Sequence, residues 1–252
     1  MSFFSVDNLS INFGGIKAVD GVTFDVNKGD VFTIIGPNGA GKTTIFNLVS
    51  SIYQPTGGKL TFDGTDITNV PPHRIAALGI ARTFQNIELF EHATLLQNLL
   101  LARHAHKKSN FFSELMFLPS VRQMELEHRE AVEKAIDFLD LQQYRDSFIV
   151  NLPYGVRKVT ELARALCTDP KLLLLDEPSS GLNVEETEDM AFWIQDIKNL
   201  LGITVLMVEH DMKLVSAVSD RVLALNYGRP LAMGTPGEVQ SHPEVIRAYL
   251  GG

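Results

Sequence analysis

The residues best placed to do chemistry are Gly36, Pro37, Asn38, Gly39, Ala40, Gly41, Lys42, Thr43 and Thr44, which match the spacing G-x-x-x-x-G-K-[ST]. Glycines at this spacing let successive main-chain N–H groups turn inward around an anion without Cβ clashes. A helix starting there would aim its positive end at the same anion. The chemistry is that of a nucleoside triphosphate tail. Lys42 would bridge its β- and γ-phosphates, and the Thr43 hydroxyl would be a ligand to Mg²⁺. A second acidic element is expected, and Asp176 and Glu177 supply it behind the apolar run Leu172–Leu175. An aspartate at a buried strand tip can hold Mg²⁺ through water, and the adjacent glutamate can polarise an attacking water. His210 follows another apolar run, Thr204–Val208, so parallel packing would bring it to the same sheet edge; taken alone it reads as a surface histidine.

Positioning these groups needs a layered α/β core. Val31–Ile35 is a short β-branched run entering the glycine turn, and a helix is expected from near Lys42. Leu172–Leu175, Thr204–Val208 and Arg221–Leu225 lack polar alternation and read as buried strands. A surface helix is expected between Gly181 and Leu201, with Glu185, Glu186, Glu188 and Asp189 near its positive end. Phe3–Leu9, Val22–Val26 and Lys59–Phe62 alternate as antiparallel strands do. From about 86 to 168 the periodicity is mostly helical. Within it, Glu125–Leu141 sets Val132, Ala135, Ile136 and Leu139 on one face, and a helix is also expected over Thr160–Leu166. The expectation is one domain, 1–252, with an N-terminal antiparallel β subdomain, an inserted α-helical subdomain near 86–168 and a tail near 225–252.

Charge and cysteine usage narrow the function. Among 252 residues, 22 Lys+Arg stand against 30 Asp+Glu, a formal charge of -8, which argues against a nucleic-acid partner. The one cysteine, Cys167, excludes an internal disulfide framework and reads as a small buried residue. No apolar run approaches the roughly 18 residues of a membrane span, and the N-terminus shows no export signal. The expected place is the cytoplasm. His92, His104 and His106 lack a ligand framework and read as solvated. Trp193 reads as a packed helix face, and the Lys107–Lys108 pair is too small to imply lipid binding.

In this order, these elements resemble the ATP-binding subunits of ABC transporters, over nearly the whole chain. The resemblance implies a P-loop NTPase (RecA-like) core and ATP hydrolysis coupled to transport, with ATP and Mg²⁺ as ligands. Phe13, in Asn12–Lys17, resembles the aromatic that stacks on adenine, although its type alone favours a core position. Arg82-Thr83-Phe84-Gln85 is similar to the Q-loop, whose glutamine touches Mg²⁺ and the nucleophilic water and reports to the membrane subunits. Asp176-Glu177-Pro178 resembles the acid pair, Ser180–Asn183 the D-loop, and Glu209-His210-Asp211 the switch-histidine segment.

The signature motif, usually LSGGQ, stands here as Leu152, Pro153, Tyr154, Gly155 and Val156. By resemblance, Pro153, Tyr154 and Gly155 reach the nucleotide held by a second subunit. Pro153 removes a serine hydroxyl and Val156 a glutamine amide, while Gly155 keeps its N–H. Asn183, where aspartate is common, weakens communication across the interface in the same sense. Pro153-Tyr154 and the tail (Leu225–Gly228, Met233–Val239, His242–Gly251) resemble the branched-chain amino-acid importers. Parts of that tail are shared with urea, amide and lipopolysaccharide systems. A nucleotide-dependent conformational module with weak hydrolysis is the other reading of the altered signature.

The resemblance implies a second, related ABC ATPase subunit, two membrane permeases and an external substrate-binding protein as partners, with the chain peripheral on the inner face of the membrane. A permease helix would enter a groove formed by the Q-loop and Asn86–Pro119, with Phe90, Phe111, Phe112 and Phe117 available to line it.

Overall fold

The structure, a computed structural model, describes residues 2–85, 87–103 and 119–250. His104, His106, Lys107, Lys108, Phe111, Phe112 and Phe117 lie outside them. The chain divides into two compact units, Met1–Gln85 with Lys171–Gly252, and Asn86–Pro170.

The first unit holds two sheets. Its strands are β1 (Phe4–Phe13), β2 (Ile16–Val26), β3 (Val31–Ile35), β4 (Gly57–Phe62), β5 (Thr65–Asp66), β6 (Ile80–Arg82), β7 (Leu172–Asp176), β8 (Thr204–Val208), β9 (Arg221–Asn226) and β10 (Arg229–Gly234). One sheet is antiparallel, in the order β2-β1-β4-β5, and the other runs β10-β9-β3-β8-β7-β6. In the larger sheet β9, β3, β8, β7 and β6 are parallel, and only β10 runs against its neighbour. Because β8 lies between β3 and β7, the carboxyl ends of all three meet at one edge. That edge is where an open α/β sheet places a ligand.

The parallel strands are buried at every position of β3, β7 and β8, as their unbroken apolar runs require. One core joins Phe4, Phe24 and Phe62 of the antiparallel sheet to Phe32 and Leu174 of the parallel one. Phe24 stacks on Phe32 with ring centroids 5.0 Å apart. Each such side chain contributes about 1.5–3 kcal/mol by leaving water. Helix α1 (Lys42–Val49) lays Ile45, Phe46, Leu48 and Val49 on this core. Helix α2 (Pro72–Ala77) adds Ile75.

Among its described residues the second unit is mainly helical, with α3 (Leu95–Ala102), α4 (Pro119–Phe138) and α5 (Tyr154–Leu166), and α3 packs on both others. Val132, Ala135, Ile136 and Leu139 are buried, as their spacing predicts. The helix stops short of Leu141 because Asp140 adopts a left-handed φ of 55° and the Leu141 N–H turns back to Ile136 O. Helix α5 starts six residues before the expected Thr160, its first turns masked in the sequence by Arg157 and Lys158. Back in the first unit, α6 (Val184–Asn199), α7 (Met212–Val218), α8 (Pro236–Gln240) and α9 (Pro243–Leu250) complete the chain. Val239 and Val245 of the last two pack with Ile35, the residue before the glycine turn.

Candidate functional site

The glycine turn follows β3 and ends in α1. Gly36 has φ 154°, and a Cβ there would sit 2.4 Å from Leu225 O. Gly41 has φ 100°, and its Cβ would meet Ala18 O at 2.6 Å. Neither place accepts a side chain without moving main chain. Gly41 caps α1 without a side-chain hydrogen bond, so the first-turn N–H groups of Lys42, Thr43 and Thr44 have no helical acceptor. They form a concentrated positive end next to the turn.

Lys42 is buried at 7% exposure, and its Nζ donates to Gly36 O at 2.7 Å and Pro37 O at 3.1 Å. Burial holds its ammonium below the ordinary lysine pKa, while the charges of Glu177, Asp176 and Glu209 oppose that shift. The Thr43 side is exposed, Thr44 is half-buried, Gly36 and Ala40 are buried, and Asn38 and Gly39 lie open. Pro37, Asn38 and Gly39 line one wall of a cavity of about 470 Å³ whose other wall includes Tyr227, Glu244 and Arg247.

At the end of β7, Asp176 is 2% exposed. Its Oδ2 accepts from Arg82 Nη2 at 2.8 Å, and its buried Oδ1 has no hydrogen-bond partner among the described residues. A buried oxygen of this kind is costly unless something else binds it. One unpaired carboxylate oxygen together with the open Thr43 hydroxyl is a donor set of the hard-oxygen type that suits Mg²⁺. Glu177 follows with φ 49°, uncommon for a residue with a side chain. Its N–H donates to Val208 O at 2.9 Å, which fixes the chain as it leaves the sheet. Gln85 Nε2 donates to Glu177 Oε2 at 3.1 Å, and His210 Nδ1 lies 3.8 Å from the same oxygen. The adjacency of His210 to the acid pair, expected from parallel packing, is therefore present.

Three participants were not legible from motif spacing. Arg82 is the partner of Asp176. Glu209 is fully buried: its Oε1 accepts from Ser179 N–H at 2.9 Å and Ser179 Oγ at 2.5 Å, and its Oε2 from His210 N–H at 2.6 Å and Asp211 N–H at 3.0 Å. One carboxylate thus fixes the turn after Glu177 and the turn carrying His210. Tyr249, in α9, has its phenol pKa pushed up by burial, against an opposing influence of the Gly36 main chain.

Phe13 does not enter the core. It is 41% exposed and meets Tyr53 edge-on, centroids 5.2 Å apart. Pro153, Tyr154 and Gly155 belong to the helical unit. Pro153 caps α5 without a side-chain hydrogen bond, Tyr154 is exposed and Gly155 is buried. Asn183 caps α6 in a closed box, its Oδ1 accepting from Glu186 N–H at 3.0 Å while Glu186 Oε2 accepts from Asn183 N–H at 2.9 Å. Cys167 is buried, which pushes its thiol pKa up to about 12. Trp193 is half-buried on α6, and His92 is exposed.

The family model described as "ABC transporter" matches residues 19–180, and that described as "Branched-chain amino acid ATP-binding cassette transporter" matches residues 229–252. The chain is 44% identical over 246 residues to the high-affinity branched-chain amino acid transport ATP-binding protein BraF of Pseudomonas aeruginosa, covering 98% of this chain and 96% of that protein. To LivG of Escherichia coli, of the same description, it is 40% identical over 247 residues, covering 98% and 97%. Its fold superposes on the ADP conformation of MJ1267, an ATP-binding cassette of an ABC transporter, with a TM-score of 0.87 at 33% identity over all of both chains. A glycine turn opening a helix beside a paired buried acid, on a chain matched along its length, agrees with these comparisons, which place the chain in the ABC transporter family, as a nucleotide-binding subunit that hydrolyses ATP.

Proposed function

We propose that this chain powers uptake of branched-chain or related amino acids, working as one of two related ATPase subunits under a pair of permeases that receive cargo from an external binding protein. The amino-acid assignment is supported by the matched tail and by the two relatives' descriptions. Membrane attachment on the inner face would come through the permeases, since no described helix is long and apolar enough to cross a bilayer. In the helical unit Phe90 is 62% exposed, available to a permease helix.

In this reading the N–H groups around Gly36, Pro37, Asn38, Gly39, Ala40 and Gly41, and of Lys42, Thr43 and Thr44, wrap the phosphates. Lys42 exchanges its two carbonyl partners for β- and γ-phosphate oxygens, a change from neutral to charge-assisted hydrogen bonds. Phe13 offers an open ring face to adenine, steadied by Tyr53. Thr43, Asp176 and Gln85 would hold Mg²⁺, which when bound neutralises charge on the departing diphosphate. Glu177 accepts the proton of a water as its oxygen bonds to the γ-phosphorus and the bond to the β-bridging oxygen breaks. Gln85 and His210 aim that carboxylate. Pro153, Tyr154 and Gly155 serve the nucleotide of the other subunit.

The observation that carries the reading is the Glu177 carboxylate, held by Gln85 at the sheet edge from which the glycine turn also leaves. In a strain lacking this chain, labelled leucine uptake should return with the parent sequence and not with Glu177→Gln. The purified complex carrying that variant should bind ATP within about twofold of the parent and hydrolyse it roughly 100-fold more slowly or worse. An unchanged hydrolysis rate removes Glu177 as the base. Full hydrolysis with no effect on leucine uptake points instead to a urea, amide or lipopolysaccharide system.

A further inference from the structure

We propose that Arg82 is a positioning residue that sets the free oxygen of Asp176 toward the divalent cation and ties it to the helix that starts at the phosphate loop. The proposal rests on the reading of Asp176 as the acid for that cation.

The case begins with burial. A carboxylate 2% exposed needs a compensating charge, and the ion pair to Arg82, itself 8% exposed in its side chain, supplies it. The bond uses Oδ2, which stops rotation of the carboxylate and leaves Oδ1 as the unpaired atom. The other arm of the guanidinium faces α1: Nη1 donates to Asn47 Oδ1 at 2.8 Å and to Ser50 Oγ at 3.2 Å. Its plane is held by two rings, Phe46 at 5.5 Å and Phe84 at 5.2 Å. Only Nε is buried without a partner among the described residues.

Arg82 therefore joins three elements in fixed geometry: the acid strand β7, helix α1 five residues beyond Lys42, and the segment running to Gln85. A rigid planar fork can serve both sides at once, and the single ammonium of lysine cannot. Supporting groups of this kind orient a metal ligand without touching the metal, and their loss weakens metal binding by about 10–100-fold.

The test titrates Mn²⁺, read by electron paramagnetic resonance, into the full chain saturated with ADP. Arg82→Lys and Arg82→Gln should weaken Mn²⁺ by about 10–100-fold. ADP affinity measured in EDTA should stay within about twofold. Asn47→Ala, which leaves the ion pair in place and spares the core, should weaken Mn²⁺ in the same direction by less. Unchanged Mn²⁺ affinity in Arg82→Lys, or in Asn47→Ala should the arginine variants not fold, overturns the proposal. So does an equal loss of ADP affinity in EDTA, which would mark Arg82 as general support for the loop. Asp176→Asn separates the two ideas: if it leaves Mn²⁺ affinity intact, the reading of Asp176 fails, whereas loss there with none in Arg82→Lys sinks the positioning role alone.

Discussion

Helices α1 and α5 begin differently from α3, α6 and α8. The latter three open with closed capping boxes, built by Thr94 with Gln97, Asn183 with Glu186, and Thr235 with Glu238. In each, the third N–H of the first turn and the N–H of the capping residue are answered from within the chain. Gly41 and Pro153, at the heads of α1 and α5, make no side-chain cap. These are the two helices whose motifs are assigned to phosphate. An uncapped helix start leaves several N–H donors and the positive dipole end for an outside anion. Helix α2 is also uncapped, but there a proline in the first turn already removes a donor. A box at Gly41 would add a little stability and occupy the donors that an anion needs.

The two open ends are not equal. At α1, Lys42 adds a buried ammonium already held by two carbonyls, and the Gly36 and Gly41 conformations admit no side chain. At α5 the contribution is main chain alone. The sharpest break of the comparison is Lys42→Ala, which should cut ATP affinity about 100-fold and abolish hydrolysis, as measured by titration with a fluorescent nucleotide. Near-normal binding would mean that the glycine turn is not the phosphate cradle. A milder change follows from Pro153→Ser with Val156→Gln. Restoring a hydroxyl cap and an amide should raise turnover of the assembled complex severalfold, about the worth of one or two hydrogen bonds. Nucleotide binding by this chain alone should stay level. Unchanged turnover would show that the main-chain N–H groups of α5 suffice.

Those parts of the site built from adjacent residues were legible in the sequence. The runs Val31–Ile35, Leu172–Leu175 and Thr204–Val208 are apolar without interruption, so their burial and parallel pairing followed. The His210 position followed from that pairing. The Arg82 partner lies 94 positions away and depends on β6, a three-residue strand with too few residues to show a period. Strand β10 was hidden by Pro230, which only a sheet edge tolerates. Buried charge was the other blind spot, because Glu209 and Lys158 look like surface residues until the fold encloses them. Phe13 shows the converse. Its residue type alone suggested core while the resemblance set it beside adenine, and at the end of β1 it stands exposed against Tyr53.

The smallest effect concerns a closed end. Asn183→Ala removes the Oδ1 that accepts from Glu186 N–H and leaves the main-chain N–H of residue 183 free to go on donating to Glu186 Oε2. The cost should be about 1 kcal/mol, seen as a fall in melting temperature of about 2–4 °C. Nucleotide affinity should not move, because this cap faces no assigned ligand. Asn183→Asp sharpens the point: aspartate caps as well as asparagine, so melting should match the parent. Any change in the steepness of hydrolysis against ATP concentration would then report on contact with the second subunit and not on the helix. If Asn183→Ala lowered ATP affinity as strongly as Lys42→Ala, the division between helices closed by their own side chains and helices left open for phosphate would fail.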